Sequence, residues 1–290
     1  MSSSTTKAQE MSSIFKLKDF ASRYKLAEKV TGLFAQPLIN QSGITSYQKP
    51  LVVLDHACGT GIISSTLYRI LSEQARRSWQ LTCGDFADGM VEYTRQRAVE
   101  EGWHNAEVKI VDAQETRLPS GRYTHVFASF AFPSFPDVGV AMKECLRILQ
   151  PGGTIGSVTW KKVPWITLMK SSIETISPEL QFPDIDEFLN MLNKGWNSEG
   201  NVHSLFEQAG FTDIQVNAVR DLVSLPISEL VELNKAILPA IVGQCWTKEQ
   251  RQQFEEHVPA AMQQFLEQEY GIGGCVPLEP TAIVATARKP

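Results

Sequence analysis

Three acids follow three short apolar runs at nearly even spacing. Asp55 closes Leu51-Val-Val-Leu-Asp55, Asp85 closes Trp79-Gln-Leu-Thr-Cys-Gly-Asp85, and Asp112 follows Glu107-Val-Lys-Ile-Val111, at intervals of 30 and 27 residues. The first acid runs into His56-Ala57-Cys58-Gly59-Thr60-Gly61, a tight glycine turn that opens a helix. Glycine accepts positive φ and lets a ligand touch the backbone. The helix N-terminus then offers N–H groups to a polar ligand. An acid ending the next strand can take the two hydroxyls of a ribose. At the third position Asp112, beside Ala113, can accept a hydrogen bond from an adenine amino group. Each feature alone also has a plain structural reading. Asp55 can be a helix cap, and Asp112 can simply begin a polar loop.

The elements that must position these acids alternate. Strands are expected at 51–55, 79–84, 107–111, 123–130 and 154–160. Helices are expected at 62–77, 90–101 and 138–149. Such βαβ alternation predicts a parallel sheet with helices on both faces. Ligands of such sheets bind beyond the carboxyl ends of the strands, where all three acids fall. The order along the sheet is then an amino-acid part, a ribose and an adenine, which describes S-adenosyl-L-methionine (SAM), with S-adenosyl-L-homocysteine (SAH) as its product. A nicotinamide cofactor competes for the same kind of sheet. Its fingerprint needs a third glycine where Ser64 stands, and it has no use for Asp55 before the glycines.

The remaining chain adds material that a bare cofactor fold does not need. Residues 1–13 are Ser/Thr-rich and read as a flexible tail. Residues 14–40 read as an N-terminal lid helix, with Phe15, Phe20, Tyr24, Leu26, Val30, Leu33 and Phe34 recurring at helical intervals. Helical insertions are expected at 164–200 and 226–270, with a short helix at 202–209. Further strands are expected at 211–219 and 281–287, making seven. One domain over 14–290 accounts for this pattern. The 290 residues carry 27 Lys plus Arg against 32 Asp plus Glu, a formal charge of −5, which argues against a broad basic face for nucleic acid. No apolar run approaches the ~20 residues that cross a bilayer, and the polar start is not a signal peptide. The five scattered cysteines form no C-x-x-C pair, so neither a metal site nor a disulfide frame is called for. A cytoplasmic monomer acting on a small molecule, with no nucleic-acid or membrane partner, is the expectation.

At this point the chain resembles the class I SAM-dependent methyltransferases. Their glycine motif is matched by Asp55, Ala57, Cys58, Gly59 and Gly61. Their ribose motif is matched by Gly84-Asp85-Phe86 with Met90, and their adenine motif by Val111-Asp112-Ala113. Leu149-Gln-Pro-Gly-Gly153 and Leu205-Phe-Glu-Gln-Ala-Gly-Phe211 match the segments before strands five and six. These motifs span about 160 residues. They imply a seven-stranded, mostly parallel Rossmann-like methyltransferase sheet with helical lid insertions. A closer similarity is to the fungal gliotoxin thiomethyltransferase family. It rests on Ser22-Arg-Tyr-Lys25, Glu28-Lys29, Thr31-Gly32, Thr82-Cys-Gly-Asp85, Glu101-Gly-Trp103, Tyr123-Thr-His-Val126, Lys143-Glu-Cys145, Trp246-Thr-Lys-Glu-Gln-Arg251 and Val276-Pro-Leu-Glu279. That resemblance implies S-methylation of the two thiols of a reduced epidithiodiketopiperazine. His56 departs from it, standing where Asn is expected.

Methyl transfer from SAM requires a nucleophile held about 3–3.5 Å from the methyl, with water excluded. A thiol, with an ordinary pKa near 8.5, needs no strong base. The histidines fit this. His125 and His104 fall at the wrong end of the sheet, and His56, His203 and His257 have no evident base role, so no catalytic residue is assigned. Tyr24 is placed to close over the methionine carboxylate, and Ser129 ends the fourth strand beside the cofactor. Phe130, Phe132 and Phe135 after that strand are expected to line the substrate site. Trp160, Trp165, Met169 and Trp196 are expected to add an apolar wall, against the plainer reading of each as core. The alternatives are O-, N- or C-methylation of another secondary metabolite, a nicotinamide oxidoreductase, or a non-catalytic SAM-binding protein.

Overall fold

The structure is a computed structural model that describes residues 20–290, with side chains from Tyr24 onward. The expected tail at 1–13 and the start of the lid helix lie outside the described residues. The chain divides into two compact units. The first comprises residues up to Trp160, Gly195–Val219 and Ala282–Pro290, and the second Lys161–Lys194 and Arg220–Thr281.

The first unit opens with α1 (Phe20–Thr31), a 3-10 turn at Gly32–Phe34, and α2 (Ala35–Ser42). The expected single lid helix is therefore two helices. Then come β1 (Val52–His56), α3 (Ile62–Ile70), α4 (Glu73–Ser78), β2 (Gln80–Asp85), α5 (Asp88–Glu100), β3 (Ala106–Ile110), β4 (Tyr123–Ser129), α6 (Val138–Ile148) and β5 (Leu149–Lys162). The helix expected over 62–77 breaks because Ser72 caps α4, its hydroxyl accepting from the Ala75 N–H at 3.2 Å. In the second unit, α7 (Pro164–Ile176) and α8 (Ile185–Asn193) replace the first insertion. Next come α9 (Glu199–Gln208) and β6 (Thr212–Arg220) of the first unit. The second insertion holds β7 (Val223–Pro226), α10 (Ile227–Cys245), α11 (Lys248–Phe254), α12 (Val258–Tyr270) and β8 (Cys275–Leu278). The chain closes with β9 (Thr281–Arg288).

Seven strands form the main sheet in the order β3-β2-β1-β4-β5-β9-β6. β1 pairs in parallel with β2 and β4, β2 with β3, and β4 with β5. Alternation along each strand sends neighbouring residues to opposite faces. Leu54, Val126 and Ile155 pack on one face with Met142 and Cys145 of α6 and Phe206 of α9. Val53, Phe127 and Val158 pack on the other with Phe34, Leu38, Ile63 and Leu67. With both faces covered, strands such as β4 are buried almost throughout.

In the second unit, α7, α10 and α12 bury Ile166, Met169, Ile173, Leu230, Ile241, Val258, Met262 and Leu266. The antiparallel pair of β7 and β8, with Val223 opposite Leu278 and Pro226 opposite Cys275, was not expected from the sequence. Each strand is only four residues long, too short for a periodicity of two to stand out. No helix among the described residues is long and apolar enough to cross a membrane.

Candidate functional site

The crossing from β1 into α3 sets the site. Its backbone holds positive φ at Ala57 (53°), Gly59 (55°) and Gly61 (79°). A side chain at Gly61 would be strained by that φ, and its Cβ would crowd Thr94 and Trp103 at 3.1 Å. Asp55 is 1% exposed, and its carboxylate accepts from the Ser64 N–H at 3.1 Å and the Ser64 hydroxyl at 2.6 Å. It thus caps the first turn of α3 from beneath. Burial lifts its pKa to about 7, against the two Ser64 hydrogen bonds that lower it. The same serine that removes the dinucleotide fingerprint is therefore the partner that Asp55 needs.

Asp85, the last residue of β2, lies across the turn. One carboxylate oxygen accepts from the Gly59 N–H at 2.9 Å and the other from the Ala87 N–H at 3.0 Å. Burial raises its pKa. Tyr24 of α1 packs with Ala87 and Met90, and its ring stands 3.6 Å from where a Gly59 Cβ would be. Burial, then the charges of Asp85 and Glu28, push its pKa to about 12, so it stays a neutral hydroxyl. Phe86 is 37% exposed beside Asp85. Asp112 is exposed just past β3, accepting from the Gln114 N–H at 2.8 Å, with Ala113 buried behind it. The structure thus brings together Tyr24, Ala57, Gly59, Gly61, Asp85, Phe86 and Met90. Asp55 lies underneath as a cap.

These groups fit SAM by their chemistry. The turn approaches without side chains at Gly59 and Gly61. A buried carboxylate already held by N–H donors is poised at the end of β2, and a second, exposed one follows β3. Among the described residues no group of three or more His, Cys, Asp and Glu could hold a metal ion. An open cavity of about 490 Å³ lies elsewhere, lined by Val52, Gln80, Ala106 and Arg122 at the amino ends of the strands.

The aromatic residues divide into two groups. Ser129 ends β4, and the next residue, Phe130, has φ of 55°, a costly conformation for an aromatic side chain. Its ring meets Trp160 at 4.3 Å and Phe34 at 6.1 Å, while Phe34 meets Trp160 at 5.7 Å. Phe130 and Trp160 are half-buried. Phe132, in contrast, is fully buried, stacked on Trp196 at 4.8 Å and set against Phe135 and Phe206. Phe132, Phe135 and Trp196 belong to the core under α6 and α9. The sheet face and two helices enclose them, which is the plainer reading of each as core. Trp165 and Met169 lie on α7 of the second unit, where Met169 is buried.

His125 is buried between Tyr47 and Phe127, with its Nδ1 3.1 Å from the Thr124 hydroxyl, and burial lowers its pKa to about 4. His56 is fully buried beside Phe135, where burial disfavours its protonated form more than the charge of Glu144, the Ala113 backbone and the charge of Asp112 favour it. Burial pushes it down to about 4, so it is a neutral packing group. Cys58 and Cys83 are buried thiols. Burial raises both pKa values, which keeps them protonated.

Sequence reasoning missed Glu28, Thr60 and Arg97 as partners. Glu28 is 8% exposed and pairs with Arg97 at 2.8 Å and Lys25 at 2.6 Å. It also accepts from the Thr60 hydroxyl. Glu28-Lys29 stands among the segments of family resemblance, but an acid between Lys25 and Lys29 on an apolar-periodic helix ordinarily marks a solvated face, and nothing in the sequence pairs it with Arg97.

The methyltransferase domain family matches residues 53–153. Methyltransferase tpcH of Aspergillus fumigatus is 51% identical, covering 96% of this chain and 99% of its own. Acetylaranotin bis-thiomethyltransferase of Aspergillus terreus is 50% identical, covering 97% and 98%. Among solved structures, a methyltransferase from Bacillus halodurans aligns with TM-score 0.53 at 15% identity, covering 88% of this chain and 99% of that one. A Haemonchus contortus phosphoethanolamine N-methyltransferase aligns with TM-score 0.54 at 13% identity, covering 95% and 60%. These two establish likeness of fold. The glycine turn, the acid-ended strands and the full-length relatives lead to one conclusion: the chain belongs to the class I SAM-dependent methyltransferases, in the fungal thiomethyltransferase family.

Proposed function

We propose that this protein binds SAM at the β1–α3 turn and transfers its methyl to the thiols of a reduced epidithiodiketopiperazine, such as dithiol gliotoxin. The observation that carries the acceptor class is the 50% identity to a relative named as a bis-thiomethyltransferase, which runs through 97% of this chain and so includes both insertions. The cofactor reading is supported by the Asp85 carboxylate beside Gly59 and beneath Tyr24. Asp85 would take the ribose, Asp112 the adenine amino group, and the turn backbone with Tyr24 the amino-acid end.

When bound, SAM supplies a sulfonium methyl whose leaving group is already activated by charge. The chain's residues then have to hold the acceptor and exclude water. Phe130 and Trp160, at the carboxyl ends of β4 and β5, present half-buried apolar rings suited to a hydrophobic acceptor. A thiol ionises close to neutral pH, so transfer proceeds by positioning, with no side chain assigned as base. Incubating enzyme and SAM with reduced dithiol diketopiperazines and with phenols, and following the mass of each, tests this. Methylated dithiol supports the reading, and methylated phenol with unchanged dithiol defeats it.

A further inference from the structure

Thr60 stands between Gly59 and Gly61, two glycines at positive φ on a turn whose backbone is intrinsically soft. It is fully buried, and both its oxygens are held, each by a different helix. Its hydroxyl donates to Glu28 of α1. Its carbonyl accepts from Arg97 of α5 at 2.9 Å. Glu28 and Arg97 then close the triangle with a 2.8 Å ion pair, their side chains 7% and 11% exposed. The charges balance around it. Lys25 lies 2.6 Å from the other Glu28 oxygen, and Arg97 donates from Nε to Glu101 at 2.7 Å. Glu101 is fixed in turn by the Ser65 hydroxyl at 2.7 Å and the Trp103 indole N–H at 3.0 Å. Thr94, one turn before Arg97 on α5, donates to the Gly59 carbonyl at 2.7 Å.

A buried ion pair adds little net stability over apolar packing of the same volume. What it adds here is direction. We propose that Glu28 and Arg97 are positioning residues of the cofactor site, whose ion pair clamps α1 and its Tyr24 onto the glycine turn through Thr60. The inference rests on the SAM reading above. Neither residue needs to touch the cofactor. The pair acts by holding Thr60 still and by keeping the Tyr24 ring over Gly59 and beside Asp85.

The test uses the full chain with Glu28→Gln, Arg97→Met, Arg97→Lys and the Glu28→Gln/Arg97→Met double variant. SAH affinity is measured by calorimetry, and amide hydrogen exchange over residues 20–31 and 57–61 is followed without ligand. The clamp predicts that each of the first two variants weakens SAH about tenfold and speeds exchange in both segments. The double variant should be no worse than the poorer single one, because both remove the same pair. Arg97→Lys should recover part of the affinity. The KM for SAM should rise while kcat at saturating SAM stays within about twofold. Where Arg97→Met does not fold, the near-isosteric Glu28→Gln decides. Wild-type SAH binding with unchanged affinity in Glu28→Gln, or strictly additive losses in the double variant, overturns the clamp. A wild-type protein that binds no SAH removes the cofactor reading itself, a result distinct from either.

Discussion

Asp55 and Asp85 are the same residue type at the ends of adjacent strands, yet their neighbours give them different work. Asp55 spends its hydrogen bonds inward on Ser64. Asp85 faces the glycine turn and the Tyr24 ring. Asp85→Ala is therefore expected to weaken SAM at least about tenfold, the usual cost of losing hydrogen bonds to a charged group. Calorimetry showing unchanged affinity would remove Asp85 from the ribose. His56 makes a separate prediction. Its pKa is near 4 in the folded protein against an ordinary 6.5. The unfolded chain therefore takes up its proton first as pH falls. The stability tied to His56 is whole above pH 6.5 and is lost progressively toward pH 4, a change on the order of 3 kcal/mol. Asp55, raised from 3.8 to about 7, works in the opposite sense and favours the folded state on acidification. In urea unfolding at pH 7.5 and pH 5, His56→Asn should lose less stability between the two than the unaltered protein. An equal loss in both would show that His56 is not buried neutral.

At the scale of elements, the acids and glycines were legible because their chemistry lies in the local chain: a strand, a positive-φ turn and a helix N-terminus occur within about ten residues of sequence. The aromatic residues were not, because neither composition nor spacing says which side of a loop faces the core. Phe130 and Phe132 are two positions apart, yet one is half-buried against Trp160 and the other stacks in the core on Trp196. Their variants should part accordingly. Phe132→Ala and Trp196→Ala are expected to cost about 3–5 kcal/mol of stability, read as a lowered Tm. Phe130→Ala should keep the fold, since the ring is only half-buried, and should raise the KM for the acceptor. A Phe130→Ala enzyme with unchanged acceptor KM would take that ring out of the substrate wall. Glu28 and Arg97 escaped the sequence reading for a related reason. They are 69 residues apart and meet only once α1 folds back over the turn.

On the scale of the whole molecule, the cofactor motifs occupy the first unit, and the two insertions gather into a unit of their own. Sequence alternation predicted the seven-stranded, mostly parallel sheet. It blurred the insertions, where α7, α8, α10, α11 and α12 replaced two undivided helical blocks and a four-residue strand pair went unseen. Relatives near 50% identity span the insertions as fully as the cofactor unit. A thiol that reacts without a protein base should give a pH–rate profile that follows its own ionisation. A profile governed by a protein group of different pKa would contradict transfer by positioning alone.

Mass spectrometry of a reduced epidithiodiketopiperazine after incubation with the enzyme and SAM, with fragmentation to locate the added group, decides whether sulfur is the methyl acceptor. Thiol S-methylation gives a gain of methyl on sulfur that depends on both enzyme and SAM. No gain on any dithiol, or a methyl found on oxygen or nitrogen, would contradict it.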